Sequence, residues 1–416
     1  MVKPGYKQTE IGVIPEDWAI KYLSDFGKVQ GGGTPSTTMA DYWGGDIAWC
    51  TPSDITSTPT KYINATERAI TDLGLKNSAA TVMPAGSILL CTRATIGELK
   101  INSIPMATNQ GFKNIAINKG GNVDFLYYLL QTKKDRMLEL AIGSTFLEIS
   151  KTALCKIPLQ TPMHSDEQSK IADALSDIDS LVEVLENHIS KKKAIKQGAM
   201  QELLTGKRRL PGFSGEWRYF NLMKNSKVKA RIGWQGLKKS EYLDSGYALL
   251  VTGTDFDDGR VLWDRCHYVT RSRYEQDRNI QLQNNDILIT KDGSLGKAAL
   301  VQGLTKPATL NSGIFVIRPL QDAYDPVFVY QILSSFVFKN FLDRLSAGST
   351  IIHLYQKDVG KFEFLLPPTI AEQKAIAEAL SEMDADIAAL ENKLTKYRQV
   401  KQGMMQQLLT GKIRLV

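Results

Sequence analysis

A mixed α/β (α+β) architecture is the fold class this sequence predicts: two globular domains separated by two long antiparallel helices that form a coiled coil, arranged as a pseudo-twofold tandem repeat. Three observations predict it. A stretch of 44 residues, 167–210, returns at an offset of 205 as residues 372–415, with 24 identities and no gap. Each copy carries apolar residues at the heptad spacing of helices that pack side by side. The blocks before the copies hold short apolar strands divided by glycine- and proline-rich turns. A repeat of this length fixes the architecture as a tandem duplication.

Bulk properties agree. At 416 residues the chain exceeds one ordinary core, so two globular units are the natural expectation. Hydrophobic content of 43% and charge of 23% are those of a soluble globular protein. No apolar run reaches the roughly 18–20 residues of a membrane helix, and the start, MVKPGYKQTEIG, lacks an apolar signal core. A cytoplasmic location is expected. The four cysteines (Cys50, Cys91, Cys155, Cys266) and four histidines (His164, His188, His267, His353) are scattered, which excludes the clustered ligand pairs of structural zinc. Net charge of +7 permits an acidic partner such as nucleic acid without demanding one.

The chain divides on this basis into a globular domain at 1–165, a helix at 166–210, a second globular domain at 211–370 and a second helix at 371–416. Fainter echoes link the globular blocks: GSILLCTRATIG (86–97) with NDILITKDGSLG (285–296), ATNQGFKNIAI (107–117) with TLNSGIFVIRP (309–319), and EDWAIKYL (16–23) with GEWRYFNL (215–222). In each block, strands are expected at SILL (87–90), FKNIAI (112–117), DILIT (286–290) and GIFVIRP (313–319). Single amphipathic helices are expected at 123–140 and 326–345.

For the first long helix the seam is Ile171, Leu175, Ile178, Val182, Leu185 and Ile189. For the second it is Ile376, Leu380, Met383, Ile387, Leu390 and Leu394, with Tyr397 one step on. Ser165-Asp166-Glu167-Gln168 supplies capping side chains and early negative charge. Gly206 and Pro211 stop the first helix, which spans 39 residues from Glu167 to Thr205, roughly 58 Å at 1.5 Å each. The seam weakens at Lys191-Lys192-Lys193 and is expected to resume, shifted in register, at Ile195, Met200 and Leu203. Gly198 and Gly403 are either tolerated defects, costing about 1 kcal/mol each against alanine, or places where another helix comes close. Antiparallel pairing returns the C-terminus to the N-terminus. The expected form is a dumbbell whose heads are held apart by the helices, with Leu415 against Met1 as Leu210 is against Pro211.

No catalytic constellation stands out. GGG at 31–33 lacks the G-x-x-x-x-G-K-[ST] pattern of a phosphate loop, as do both LTGK phrases, so these glycines read as turn formers. LLPPT (365–369) is superficially similar to the Asn/Asp-Pro-Pro-aromatic loop of amino-methyltransferases. It has Leu366 where an acceptor must stand and Thr369 where an aromatic should stack, so it reads as the turn before the second helix. No nucleophile–His–acid arrangement has supporting context.

Polar loop residues suited to bases or phosphates remain. In the first head these are Thr34, Trp43, Thr92, Arg93, Thr95, Asn109 and Gln110. In the second they are Arg231, Trp234, Gln235, Lys238, Lys239, Arg271, Arg273, Lys291, Ser294, Asn311 and Ser312. Arginine grips guanine O6/N7 bidentately, and Asn or Gln grips adenine N6/N7. Residues 221–318 hold 15 basic against 10 acidic side chains, whereas 19–142 hold 12 against 10.

With those motifs in view the chain resembles the specificity subunit of type I restriction–modification systems, over essentially its whole length. The resemblance is carried by YKQTEIGVIPEDW (6–18), GGGTPSTTMADYWGGDIAWCTPSDI (31–55), TNQGF (108–112), GST…IPLQTP…EQ (143–168) and the doubled KQGxMQxLLTGK. Phe146 and Ile351 depart from it, where glutamine often follows GST. The resemblance implies that the globular blocks are target recognition domains, each reading one half of a bipartite, asymmetric site on double-stranded DNA. It implies that the helices set the spacer and dock two methyltransferase subunits, through which restriction motor-nuclease subunits join. It implies no cofactor on this chain, S-adenosylmethionine belonging to the methyltransferases, and no metal. Arg93, Asn109 and Gln110 are then expected to read one half-site, and Lys291 and Asn311 the other. The rival readings are a DNA-processing enzyme, methyltransferase or nuclease, with an unrecognised active site, and a protein-only coiled-coil scaffold.

Overall fold

The computed structural model describes residues 2–143, 147–346 and 353–416, the side chain of Trp234 excepted. Met1, Phe146, Ile351, two residues of the GST at 143–145 and all of the GST at 348–350 lie outside the described residues. Two compact units form, Met1–His188 with Glu391–Val416, and Ile189–Leu390. Both cuts fall inside the long helices, Ser165–Leu203 and Ile370–Leu408. Each unit therefore holds one head, part of one long helix and the opposing part of the other.

In the first unit a five-stranded sheet runs in the order Gly27–Gly31, Phe112–Ile117, Ile88–Cys91, Leu99–Asn102, Tyr62–Ile63. A three-stranded sheet runs Met106–Thr108, Trp43–Cys50, Arg68–Ile70. Alternation along the strands accounts for the layering. Ile88, Leu90 and Ile115 pack with helix Val123–Gln131 and the long-helix residues Ile171 and Leu175. Leu89, Cys91 and Phe112 point the other way, into a second core with Cys50, Ile55 and Met106. A sheet buried on both faces reads as a continuous apolar run, as SILLC does.

The second unit repeats this order. Ser226–Lys229, Ile314–Pro319, Ile287–Thr290, Ala298–Leu300 and Arg260–Val261 form the large sheet, with Phe256–Asp257 added at its edge. Ala308–Leu310, Ala248–Val251 and His267–Val269 form the small one. The registers align the two heads residue by residue. Ile115 lies between Ile88 and Val29 as Ile317 lies between Ile287 and Val228.

The four expected strands are present within a residue of their expected ends. The helices expected at 123–140 and 326–345 are each two: Val123–Gln131 and Lys134–Glu139, then Pro326–Leu333 and Phe336–Ser346. The breaks have a local cause. Thr132 Oγ1 donates to Leu129 O at 2.7 Å while the Thr132 and Lys133 amides tighten to i−3 bonds. Ser335 Oγ donates to Ile332 O and also accepts from Val337 N at 3.1 Å, ending one helix and capping the next.

The long helices pair antiparallel within each unit. Lys401–Asp179 (2.5 Å) and Arg398–Glu186 (2.6 Å) link them in the first, and Lys192–Asp386 (3.0 Å) and Lys196–Asp384 in the second. All twelve seam residues are buried or half-buried. The expected register shift does not occur. Ile195 is 60% exposed, and the heptad continues through Ile189, Lys192, Lys196, Ala199 and Leu203. Two lysines take seam positions because their stems cover apolar surface while their ammonium groups reach aspartates on the facing helix.

The helix starts also differ from expectation. Ser165 is the first helical residue, and Glu167 is more than early negative charge, being only 3% exposed. It accepts from Arg414 Nε at 2.6 Å and from Trp18 Nε1 at 3.2 Å. Glu372 repeats the arrangement with Arg209 and Trp217. Each long helix thus begins on a buried carboxylate gripped by the arginine that follows the end of the other. Thr369 Oγ1 accepts from Glu372 N at 3.2 Å, so the Pro367-Pro368-Thr369 link does lead into the second helix. Gly206 and Gly411 end the helices with left-handed φ of 71° and 70°.

Gly32 and Gly33 are not turn formers. A Cβ on Gly32 would sit 2.1 Å from Asn109 O, and one on Gly33 2.3 Å from the Ala79 backbone, so both glycines serve close backbone approach. At Gly198 and Gly403 a Cβ would meet nothing within 4 Å, so no other helix among the described residues comes close there.

Candidate nucleic-acid interface

The candidate residues gather where strands of the two sheets end. In the first head the turn 92–97 follows strand Ile88–Cys91 and is pinned to the next strand by Thr92 N, which donates to Gly111 O at 2.8 Å. The turn 109–111 is shaped by Asn109, whose Oδ1 accepts from Gly111 N at 2.9 Å. Gln110 reaches Thr34 Oγ1. Thr34, Arg93, Asn109 and Gln110 are thus brought together, all exposed or half-buried. Arg93 bridges Glu148 through the backbone, and Thr95 N donates to Arg93 O at 2.8 Å. Thr92 is fully buried with its hydroxyl on Gly111 O, so it positions the turn and meets no external ligand. Trp43 donates to Ser36 O at 3.1 Å, and its ring is covered by the Arg68 guanidinium at 3.6 Å and edged by Trp49 at 4.9 Å. Arg68, 25 residues away in sequence, carried no signal for this pairing.

In the second head Lys291 N donates to Gly313 O at 2.9 Å, the same pin in the same place. Lys291 Nζ lies 5.6 Å over the Phe315 ring, and Ser294 is exposed on the turn. Asn311 is fully engaged: Oδ1 accepts from Ser312 N at 2.8 Å and Nδ2 donates to Tyr242 OH at 2.9 Å. Tyr242 was not anticipated, and stacks on His267 at 5.7 Å.

Arg231 is not a solvated loop residue. It is 1% exposed and donates through Nε to Leu310 O at 2.8 Å and through Nη2 to Thr309 Oγ1 at 3.2 Å. Gln235 is also buried, at 6%, which overturns its reading as an exposed contact. The side chain of Trp234 lies outside the described residues. A second basic patch adjoins the Asn311 turn through Tyr242. Arg273 joins Glu241 at 2.6 Å, Arg271 joins Glu275 at 2.7 Å and lies 5.3 Å over Tyr247, and Lys238 and Lys239 are exposed beside Glu241.

None of this is acid–base or nucleophilic machinery. Burial raises Cys91 and Cys266 to about 12, and Cys50 higher still, so these thiols are inert. Among the described residues no cluster of three His, Cys, Asp or Glu is placed to hold a metal. Nor is any described helix long and apolar enough to cross a membrane.

Two heads of one topology, each presenting polar turns, match one family. The sequence model described as Type I restriction modification DNA specificity domain fits residues 15–196 and 235–401. The chain belongs to this family. It is 28% identical to the Type I restriction enzyme MjaIX specificity subunit of Methanocaldococcus jannaschii, over 99% of this chain and 96% of that one. The MjaVIII specificity subunit of the same organism is 22% identical over 97% and 94%. The S subunit of a type I restriction–modification system from M. genitalium shares the fold, with a TM-score of 0.61, 15% identity and 98% coverage of both chains. The type I specificity family supplies DNA recognition to restriction–modification complexes, and neither rival reading finds support.

Proposed function

We infer that this chain is the non-catalytic DNA-reading subunit of a type I restriction–modification complex, with each head reading one half of a bipartite target. The observation that carries this is the pair of family matches, falling on two heads that share a strand order and differ in their loops. Because Arg93 and Gln110 of one head give way to Asp292 and Ser312 at the matching turns of the other, the two half-sites differ and the target is asymmetric. The repeated helices set the unread stretch and dock two methyltransferase subunits, which bring S-adenosylmethionine and recruit the motor-nuclease subunits. The complex acts in the cytoplasm.

Methylome sequencing of cells carrying the complete system tests this. The expected result is methylated adenines within one split, asymmetric word, and Arg93→Ala relaxes only one half of it. A continuous palindromic word, or methyl transfer by the purified chain alone, would overturn the assignment.

A further inference from the structure

At one aligned position the heads carry opposite residues. Gly32 stands three residues after Val29, and Arg231 three after Val228. In the first head the backbone itself closes onto Thr108 and Asn109, leaving no room for a side chain. In the second head the guanidinium fills that place, holding Thr309 and Leu310, the strand residues just before Asn311.

Two donors of the guanidinium are used this way, and Nη1, though buried, meets no acceptor among the described residues. No carboxylate is within ion-pairing distance of Arg231 among the described residues. Burial dominates its environment and lowers its pKa, with nearby Arg273 acting in the same direction, and the more distant Asp277 and Glu241 offset this only in part. A buried cation so placed is costly unless an anion completes it. Arg231 also lines a pocket of about 420 Å³ whose wall includes Lys229 and Lys291 against Asp277. Three basic side chains against one acidic one leave the pocket positive, and an arginine fork suits phosphate oxygens.

We propose that this pocket of the second head takes a phosphate group, completing the guanidinium of Arg231 with Lys291 at its side. The source that fits the function proposed above, on which this rests, is a backbone phosphate of the DNA passing the turn at 311–313 of the second head. The first head has no counterpart, since Gly32 closes the same place. Phosphate contacts position a reader without specifying sequence, so the pocket anchors the second head and leaves discrimination to the turns around it.

The test compares the full wild-type chain with Arg231→Gln and Lys291→Gln. Affinity for mixed-sequence duplex DNA is followed across salt concentration, and thermal unfolding is followed with added inorganic phosphate. Each variant is expected to lower the slope of log K against log salt by about 0.9 and to weaken all sequences alike. Inorganic phosphate is expected to raise the Tm of the wild type but not of either variant. Phosphate protection that depends on Arg231, with an unchanged DNA slope, would keep the phosphate site and assign it to a free phosphate compound. The same protection in a chain that binds no DNA would sink the DNA-reading function and leave the pocket standing. Variants that fold normally and keep both the slope and the phosphate response overturn the proposal, as does a loss confined to particular sequences. Should Arg231→Gln fail to fold, the half-exposed Lys291 supplies both readouts.

Discussion

The two heads share a strand order, a pair of parallel strand contacts and the hydrogen bond that pins one turn to the next strand, yet almost no side chain at those turns is common to both. Thr92 is buried where Lys291 reaches across a ring. Arg93 bridges Glu148 through the backbone as the equivalent Asp292 bridges His353, with different side chains at both places. Gly32 gives way to Arg231. Apolar alternation over a few strands is enough to hold the order, so selection on the turns runs free of it. A reader built this way exchanges one recognised word for another without refolding.

The largest effect is expected at what the units share. Arg209 and Arg414 each grip a buried carboxylate, Glu372 or Glu167. Arg209→Met or Arg414→Met strands that carboxylate, at a cost of about 3–5 kcal/mol. Denaturant unfolding should show similar losses for both. A large loss from one and none from the other would mean that the two closures are not equivalent.

Gly32 and Arg231 come next. Gly32→Ala drives a Cβ into backbone at 2.1 Å and should destabilise the first head by about 1–3 kcal/mol. Alanine at Gly198, where a Cβ meets nothing, should instead stabilise by about 1 kcal/mol. Thermal unfolding of the two variants side by side checks the signs. Equal shifts would remove the claim that Gly32 is there for close approach.

Much of this was legible in sequence and some was not, for physical reasons. The heptads and the strands are periodic, and period survives without knowledge of the fold. Ile195 is apolar yet lies off the seam, whereas Lys192 and Lys196 place long stems on it and their charges beyond it, which an apolar pattern does not register. Thr92, Arg231 and Gln235 read as contact residues in sequence because polar loop side chains are mostly exposed. Only the tertiary fold shows that their loops fold inward. The clasps join residues 163 and 247 positions apart, and no local pattern announces a contact at that range.

A smaller effect separates the matching turns. Ala94 has a left-handed φ of 63°, where the second head has Gly293 at 69°. L-residues pay roughly 1–2 kcal/mol in that region. Ala94→Gly should therefore stabilise the first head by up to about 1 kcal/mol, after the greater chain entropy of glycine is subtracted. Gly293→Ala should destabilise the second by a similar amount, read as opposite shifts in Tm.

The smallest expected difference is in acid. Arg414 holds Asp17 as well as Glu167, through Nη2–Asp17 at 2.6 Å. Arg209 holds Glu372 and two backbone carbonyls, Gly215 O at 2.6 Å and Ser214 O at 3.1 Å, which do not titrate. The hydrogen bond from Arg414 lowers the Asp17 pKa below its ordinary 3.8. A carboxylate depressed in the folded state binds protons more readily once unfolded. Its contribution is therefore complete above about pH 4 and is lost as pH falls through the folded value. Asp17 is partly exposed, so screening keeps the effect small. Asp17→Asn should flatten the stability of the first unit between about pH 4 and pH 2, measured by denaturant midpoints, and leave it little changed at pH 7 beyond the lost ion pair. An unaltered acid slope in that variant would show that Arg414 draws its hold from Glu167 alone, making the two closures alike in charge as well as in place.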